Sequence, residues 1–133
     1  YDAASPPSYS RFRNQVQAAD GVLFVTPEYN RGMSAAMKNA IDVGSRPPVQ
    51  NVWNNKPCAV ISASPSTIGG MGANMQLRQS LVVLNAPCMP MECYLHGVHL
   101  AFNEQDELSS EPVQKLLAKF VFALQEWVNR FKE

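Results

Sequence analysis

The sequence predicts an α/β domain built on a parallel sheet with helices on both faces. Three observations carry this expectation. Segments of helical and strand patterning alternate along the chain. The strand-like segments are apolar at successive positions rather than at every other one. Most run through a loop rich in glycine, proline or asparagine before the next helix. Strands apolar on both faces must be covered on both, which is what crossover helices do.

The elements follow in order. The opening 1–8 (YDAASPPS) reads as a loop. Phe12, Val16 and Ala19 recur at helical spacing, so a short helix is expected over 10–19, ended by Asp20-Gly21. The apolar run 21–26 (GVLFVT) reads as a buried strand, and 26–32 (TPEYNRG) as the loop that leaves it. Met33, Ala36, Met37, Ala40, Ile41 and Gly44 then mark one face of a helix closed off by Pro47-Pro48. The run 58–63 (CAVISA) is a second buried strand and 64–72 (SPSTIGGMG) a glycine-rich loop. Met75, Leu77, Leu81 and Leu84 give the helix after it. Residues 87–95 form a weaker strand candidate, interrupted by Pro90 and so irregular or near an edge. The final helix is the clearest: Ser109 or Ser110 can cap it, Pro112 sits in its first turn, and an apolar stripe runs from Val113 to Phe131.

Composition narrows the function classes. At 133 residues the chain is read as a single domain, 1–133. Hydrophobic residues at 46% against 17% charged ones exclude a disordered segment. Eleven basic residues balance eleven acidic ones, which argues against a nucleic-acid binder or a polybasic membrane-surface module. No apolar run approaches the roughly 20 residues a spanning helix needs. Three cysteines leave an odd thiol under any pairing, which points to a reducing, cytoplasmic setting.

In open parallel sheets ligands bind beyond the carboxyl ends of the strands. Two segments have that location and an unusual composition: Pro27-Glu28-Tyr29-Asn30 and the loop from Ser64 to Gly70. Tyr29 either contacts a ligand or merely covers the core. Gly69-Gly70 either makes a turn or lets a flat ligand approach the backbone. A zinc site from Cys88, Cys93, His96 and His99 is disfavoured, because the ligands are too close in sequence to converge tetrahedrally. No arginine stands six positions after any cysteine, which removes a low-molecular-weight phosphatase loop. Lys38 and Asp42 read as structural, and Arg78 as a surface residue or a contact to phosphate or a neighbouring subunit.

The stretch Thr-Pro-Glu-Tyr-Asn (26–30) followed by Met-Lys-Asn-Ala-Ile-Asp (37–42) resembles the signature of the NADPH-dependent FMN reductase family. The likeness continues through Lys56-Pro57, Ile68-Gly69-Gly70, Leu77-Arg78-Gln79 and the last helix. It implies a flavodoxin-like doubly wound fold and an oxidoreductase passing hydride from NADPH or NADH to FMN, then to quinone, azo, chromate or similar acceptors. It implies that Pro27, Glu28, Tyr29 and Asn30 line the flavin ring, with Ala63 and Ser64 approaching from the second loop. No protein acid or base, and no metal, is expected in the hydride step, which belongs to the cofactor. The resemblance further implies a homodimer or homotetramer whose partners are small-molecule acceptors, with neither nucleic acid nor membrane among them. Where the family has a proline opening the second helix, Ser34 and Ala35 stand here, a change that bears on helix initiation.

The likeness also places residue 1 just after the family's second strand. The first strand and the phosphate-binding loop that open the family's fold then have no counterpart in 1–133, and only strands three to five of the order 2-1-3-4-5 are expected. An open strand edge and an uncovered apolar face are expected at 21–26, and a chain of this span alone is expected to hold FMN poorly and to associate. Two other readings remain: a flavodoxin-type electron carrier without nicotinamide turnover, and a non-catalytic remnant that no longer binds FMN. Zero net charge counts against the carrier.

Overall fold

The computed structural model describes residues 5–132. Four helices, α1 (Pro7–Ala18), α2 (Ala35–Gly44), α3 (Met71–Val83) and α4 (Glu111–Asn129), surround four strands, β1 (Val22–Tyr29), β2 (Gly32–Met33), β3 (Cys58–Ala63) and β4 (Cys93–Leu95). The sheet order is β2-β1-β3-β4, with β1, β3 and β4 parallel. None of the described helices is long and apolar enough to cross a membrane.

The continuous apolar run of β3 has a direct cause: its alternate residues feed two separate cores. Cys58 and Val60 join Phe24, Ile41, Trp53, Leu77 and Leu81 on one face of the sheet. Ala59 and Ile61 join Met89, Cys93, Leu95 and Phe120 under α4 on the other. Each large side chain fully withdrawn from water contributes about 1.5–3 kcal/mol, so an element buried twice over anchors the domain. β1 is different. Phe24 and Thr26 are buried, whereas Leu23 and Val25, on the other face, are 37% and 55% exposed. Along 22–27 its one strand neighbour among the described residues is β3.

The structure departs from the sequence reading at several boundaries. Residues 27–29, expected in a loop, continue β1, which turns at Asn30-Arg31 into the two-residue antiparallel β2, with Glu28 opposite Met33. Both turn residues have positive φ (51° and 66°), the geometry of a two-residue hairpin turn. Asn30 tolerates that region readily. The backbone N–H of Met33 donates to Gln76 Oε1 of α3 at 2.8 Å, which secures the hairpin from outside. Pro27 can sit in a strand because, among the described residues, one side of β1 is unpaired there. α1 begins three residues earlier than expected, at Pro7, since proline suits a first helical turn. The third strand shrinks from 87–95 to Cys93–Leu95, with an isolated bridge of Cys88 to Cys58 before the Pro90 interruption. In α2, Ser34 accepts a hydrogen bond from the Met37 N–H at 3.2 Å, so a side-chain cap starts the helix.

Trp53, 1% exposed, is the keystone of the core under α1 and α2. Its Nε1 donates to the Ile41 carbonyl at 2.9 Å, and its ring meets Phe24 and Phe12 at 5.4 and 6.1 Å between centroids. Gly44 exists to admit that ring: a Cβ there would lie 2.4 Å from it. Alanine in a helix ordinarily gains about 1 kcal/mol over glycine. Against a fully buried indole the clash wins, so Gly44→Ala is expected to destabilise the domain by about 1–3 kcal/mol, read as a lower midpoint in urea unfolding.

Candidate cofactor site

The two segments singled out in the sequence meet because β1 and β3 run in register to their carboxyl ends, where Pro27 lies opposite Ala63. In a parallel pair, register partners share a face. Pro27, Tyr29 and Ala63 therefore stand on one side of the sheet end. Tyr29 is 63% exposed, Pro27 and Asn30 are exposed, and Ala63 is half-buried. Ser64 follows directly. Its N–H donates to the Leu95 carbonyl at 3.0 Å, its carbonyl accepts from Val98 N–H at 3.3 Å, and its Oγ accepts from Ser66 N–H at 3.2 Å. Among the described residues the Thr67 and Ile68 amides find no acceptor. The open end of the sheet thus carries an apolar strip, a phenol, an amide side chain and free N–H donors.

Glu28 is oriented differently from its neighbours. Its side chain, 7% exposed, points to the other face, where Oε2 accepts from the Ala73 N–H at 3.1 Å in the first turn of α3. Arg31 lies 3.5 Å from Oε1. A carboxylate at a helix N-terminus satisfies an orphan donor and complements the helix dipole. It caps α3 from 45 positions away in sequence. Gly72 makes room for this contact, because a Cβ there would sit 2.6 Å from the Arg31 carbonyl oxygen and 2.9 Å from Glu28 Oε2.

The glycine-rich turn resolves as packing. Gly69 and Gly70 both have positive φ, and added Cβ atoms would meet Tyr94 at 2.8 Å and Ser62 at 3.1 Å. Behind the turn runs a polar chain that sequence reasoning missed. Ser62 Oγ donates to the Gly69 carbonyl at 2.8 Å. The fully buried Asn74 donates through Nδ2 to Ser62 Oγ and to the Cys93 carbonyl, each at 3.2 Å. Arg78 donates from Nε to Asn74 Oδ1, and from Nη1 and Nη2 to the Met89 and Met91 carbonyls, all at 2.9 Å. Arg78, expected at the surface or on a phosphate, instead ties α3 to the segment before β4. The available signal was a buried-face asparagine with an arginine four residues later on one helix.

Lys38 and Asp42, read as structural, form an exposed ion pair at 2.7 Å. Met33, Leu77 and Leu81 are buried in the core, and the exposed residues of α3's last turn are Val82 and Val83. Cys88 packs on the core that contains Cys58, whereas Cys93 lies in the one beneath α4, on the opposite face of the sheet. A cleft of about 370 Å³ opens at the end of β4, between Leu95, His96, Leu100, Pro112, Val113 and Leu116.

Comparison with known proteins agrees with this architecture. The family profile described as NADPH-dependent FMN reductase matches residues 1–99. A quinone reductase of Pseudomonas putida is 49% identical over 127 residues, covering 95% of this chain and 68% of the relative. An NAD(P)H-dependent FMN reductase of Pseudomonas aeruginosa is 41% identical, covering 99% of this chain and 71% of the relative. Among solved structures, the flavoenzyme NAD(P)H:(acceptor) oxidoreductase FerB of Paracoccus denitrificans superposes with a TM-score of 0.87 at 36% identity, over 96% of this chain and 71% of that one. With its parallel β1–β3–β4 sheet of the flavodoxin-like type and a profile match across residues 1–99 of its 133, the chain belongs to the NADPH-dependent FMN reductase family.

Proposed function

We propose that the chain is an NAD(P)H-dependent FMN oxidoreductase that delivers electrons to quinones and similar small acceptors, its flavin ring lying across the carboxyl ends of β1 and β3. One observation carries the reading: the Pro27–Ala63 register pair sets Pro27, Tyr29 and Ala63 on one face of an uncovered strand end. The donor set fits a flavin. A flat heteroaromatic ring wants an apolar plane to lie against and N–H donors along its acceptor edge. Pro27, Tyr29 and Ala63 offer the plane, and the Thr67 and Ile68 amides offer donors. Asn30 and Ser64 border it, and Glu28 contributes its backbone while its carboxylate keeps α3 in place.

When bound, FMN supplies reversible hydride acceptance, so this chain needs no acid or base of its own for that step. What the residues do is hold geometry. Strand backbone and the capped α3 keep the two segments at a constant separation, and the exposed Tyr29 would be free to meet a ring held there. Net charge zero disfavours the electron-carrier reading, because docking on a basic redox partner calls for an acidic surface. A cytoplasmic location is supported by three free thiols. A homo-oligomer is supported by apolar side chains at the surface, among them Val83 and Phe122 at 82% and 66% exposure.

The test uses the full-length protein with excess FMN. Flavin retained after gel filtration, followed by NADPH consumption with 1,4-benzoquinone, is the expected result. A folded protein that retains no flavin would overturn the proposal, and retention without NADPH consumption would transfer it to the carrier. Tyr29→Ala is expected to weaken FMN binding about tenfold, the magnitude of one lost aromatic contact, with an unchanged melting temperature because the ring is exposed. Glu28→Ala is expected to lower stability by about 1–2 kcal/mol through loss of the α3 cap, while Glu28→Gln, which keeps an acceptor for the Ala73 amide, recovers most of it in the same denaturation assay.

A further inference from the structure

Cys58 and Cys88 face each other across the parallel bridge that precedes β4, where the Cys58 thiol donates to the Pro87 carbonyl and the Cys88 thiol to the Met89 carbonyl, each at 3.8 Å. Cys58 is 1% exposed in the core, while Cys88 is half-buried at its margin. Arg78 Nη1 lies 3.4 Å from Cys88 Sγ. Reactive cysteines are those held toward the thiolate beside a cation and open to solvent. The neighbouring Cys58 thiol, together with the Arg78 charge, draws the Cys88 thiol down to about 7 against the opposing effect of partial burial. Cys93 is the internal contrast: it is buried on the other face of the sheet, and burial pushes its thiol up.

We infer that Cys88 is a peroxide-sensitive thiol with Cys58 as its resolving partner, and that Arg78 relays its oxidation state to the Gly69–Gly70 turn. The Cys88 thiolate attacks one peroxide oxygen, the O–O bond breaks, and hydroxide leaves and becomes water. The sulfur, oxidised by two electrons, is then a sulfenic acid. Cys58 sulfur attacks it, loses its proton and expels the hydroxyl as a second water, so one peroxide and two thiols give one disulfide and two waters. Bridge partners in neighbouring strands lie within the Cα separation a disulfide accepts. Once in a disulfide, Cys88 no longer offers Arg78 an anionic acceptor. The guanidinium also holds Asn74, which holds Ser62, which holds the Gly69 carbonyl, so the loss is felt at the turn beside the strand ends. None of the atoms in this relay is assigned to a cofactor, so the inference stands or falls apart from the flavin reading.

The experiment titrates the native protein with hydrogen peroxide, blocks remaining thiols and maps them by mass. One equivalent is expected to remove two hydrogens from the chain and yield a Cys58–Cys88 linked peptide. In Cys58→Ser, Cys88 is expected to stop at the sulfenic acid and be captured by dimedone. Arg78→Gln is expected to slow Cys88 alkylation by iodoacetamide about tenfold with the Cys93 rate unchanged. Should that variant fail to fold, the native and Cys58→Ser arms decide the matter. Oxidation confined to Cys93 or the methionines, with Cys58 and Cys88 still reduced, would overturn the thiol pair. For the relay, the Gly69 and Met71 amides, bonded to the Ser66 and Ile68 carbonyls, are expected to exchange hydrogen several-fold faster after oxidation. Unchanged exchange in the disulfide form would sink the relay.

Discussion

The pairing of β1 with β3, residue for residue from Val22–Cys58 to Pro27–Ala63, is the constraint on which both the core and the strand-end site depend. Parallel strands in register present the same residues to the same face, so one backbone ladder sorts side chains into an inner core around Trp53 and a second core beneath α4. The same ladder ends with two segments, 36 positions apart in sequence, side by side. A one-residue slip would send Phe24 and Thr26 to the open face and Leu23 and Val25 into the core. The cost of exposing those buried groups makes the register single-valued, and the geometry of the strand ends inherits that precision.

A second layer of control is polar. Ser62, Asn74 and Arg78 bury donors and acceptors in a medium where any unmatched group is costly, and here each is matched. That chain of bonds joins the turn at Gly69 to the carbonyls of Met89 and Met91, while Glu28 and Gln76 fasten the β1–β2 hairpin to α3 from the other direction. α3 is thereby the element against which both strand-end segments are referenced. Its own sequence supplies no side-chain cap, since Gly70 precedes it, and the hairpin provides one through Glu28.

Much of this was legible in the linear sequence because it follows from period and composition. The runs 21–26 and 58–63 are apolar at successive positions apart from one hydroxyl residue each, Thr26 and Ser62, a pattern that a strand buried wholly or partly on both faces requires. The stripe from Val113 to Phe131 has helical spacing, and α4 forms there. What misled the reading was local chemistry that allows two outcomes. Pro27 and Asn30 suggest a loop, yet an unpaired strand side accepts the proline and a hairpin turn accepts the asparagine. Gly69-Gly70 allows either a turn or a close ligand, and Tyr94 and Ser62 stand where added side chains would go. Arg78 suggests surface, yet three carbonyl or amide oxygens converge on it.

The sequence by itself determined the alternation of helices and strands, the parallel character of the sheet and the two segments destined for its carboxyl end, because hydrophobic period and turn chemistry are local properties. Only the tertiary structure decided which way Glu28 points, that Arg78 turns onto the Met89 and Met91 carbonyls, and that Cys58 finds Cys88. Those outcomes depend on partners tens of residues distant, and a charged or polar side chain takes whichever acceptor the packed core leaves within reach.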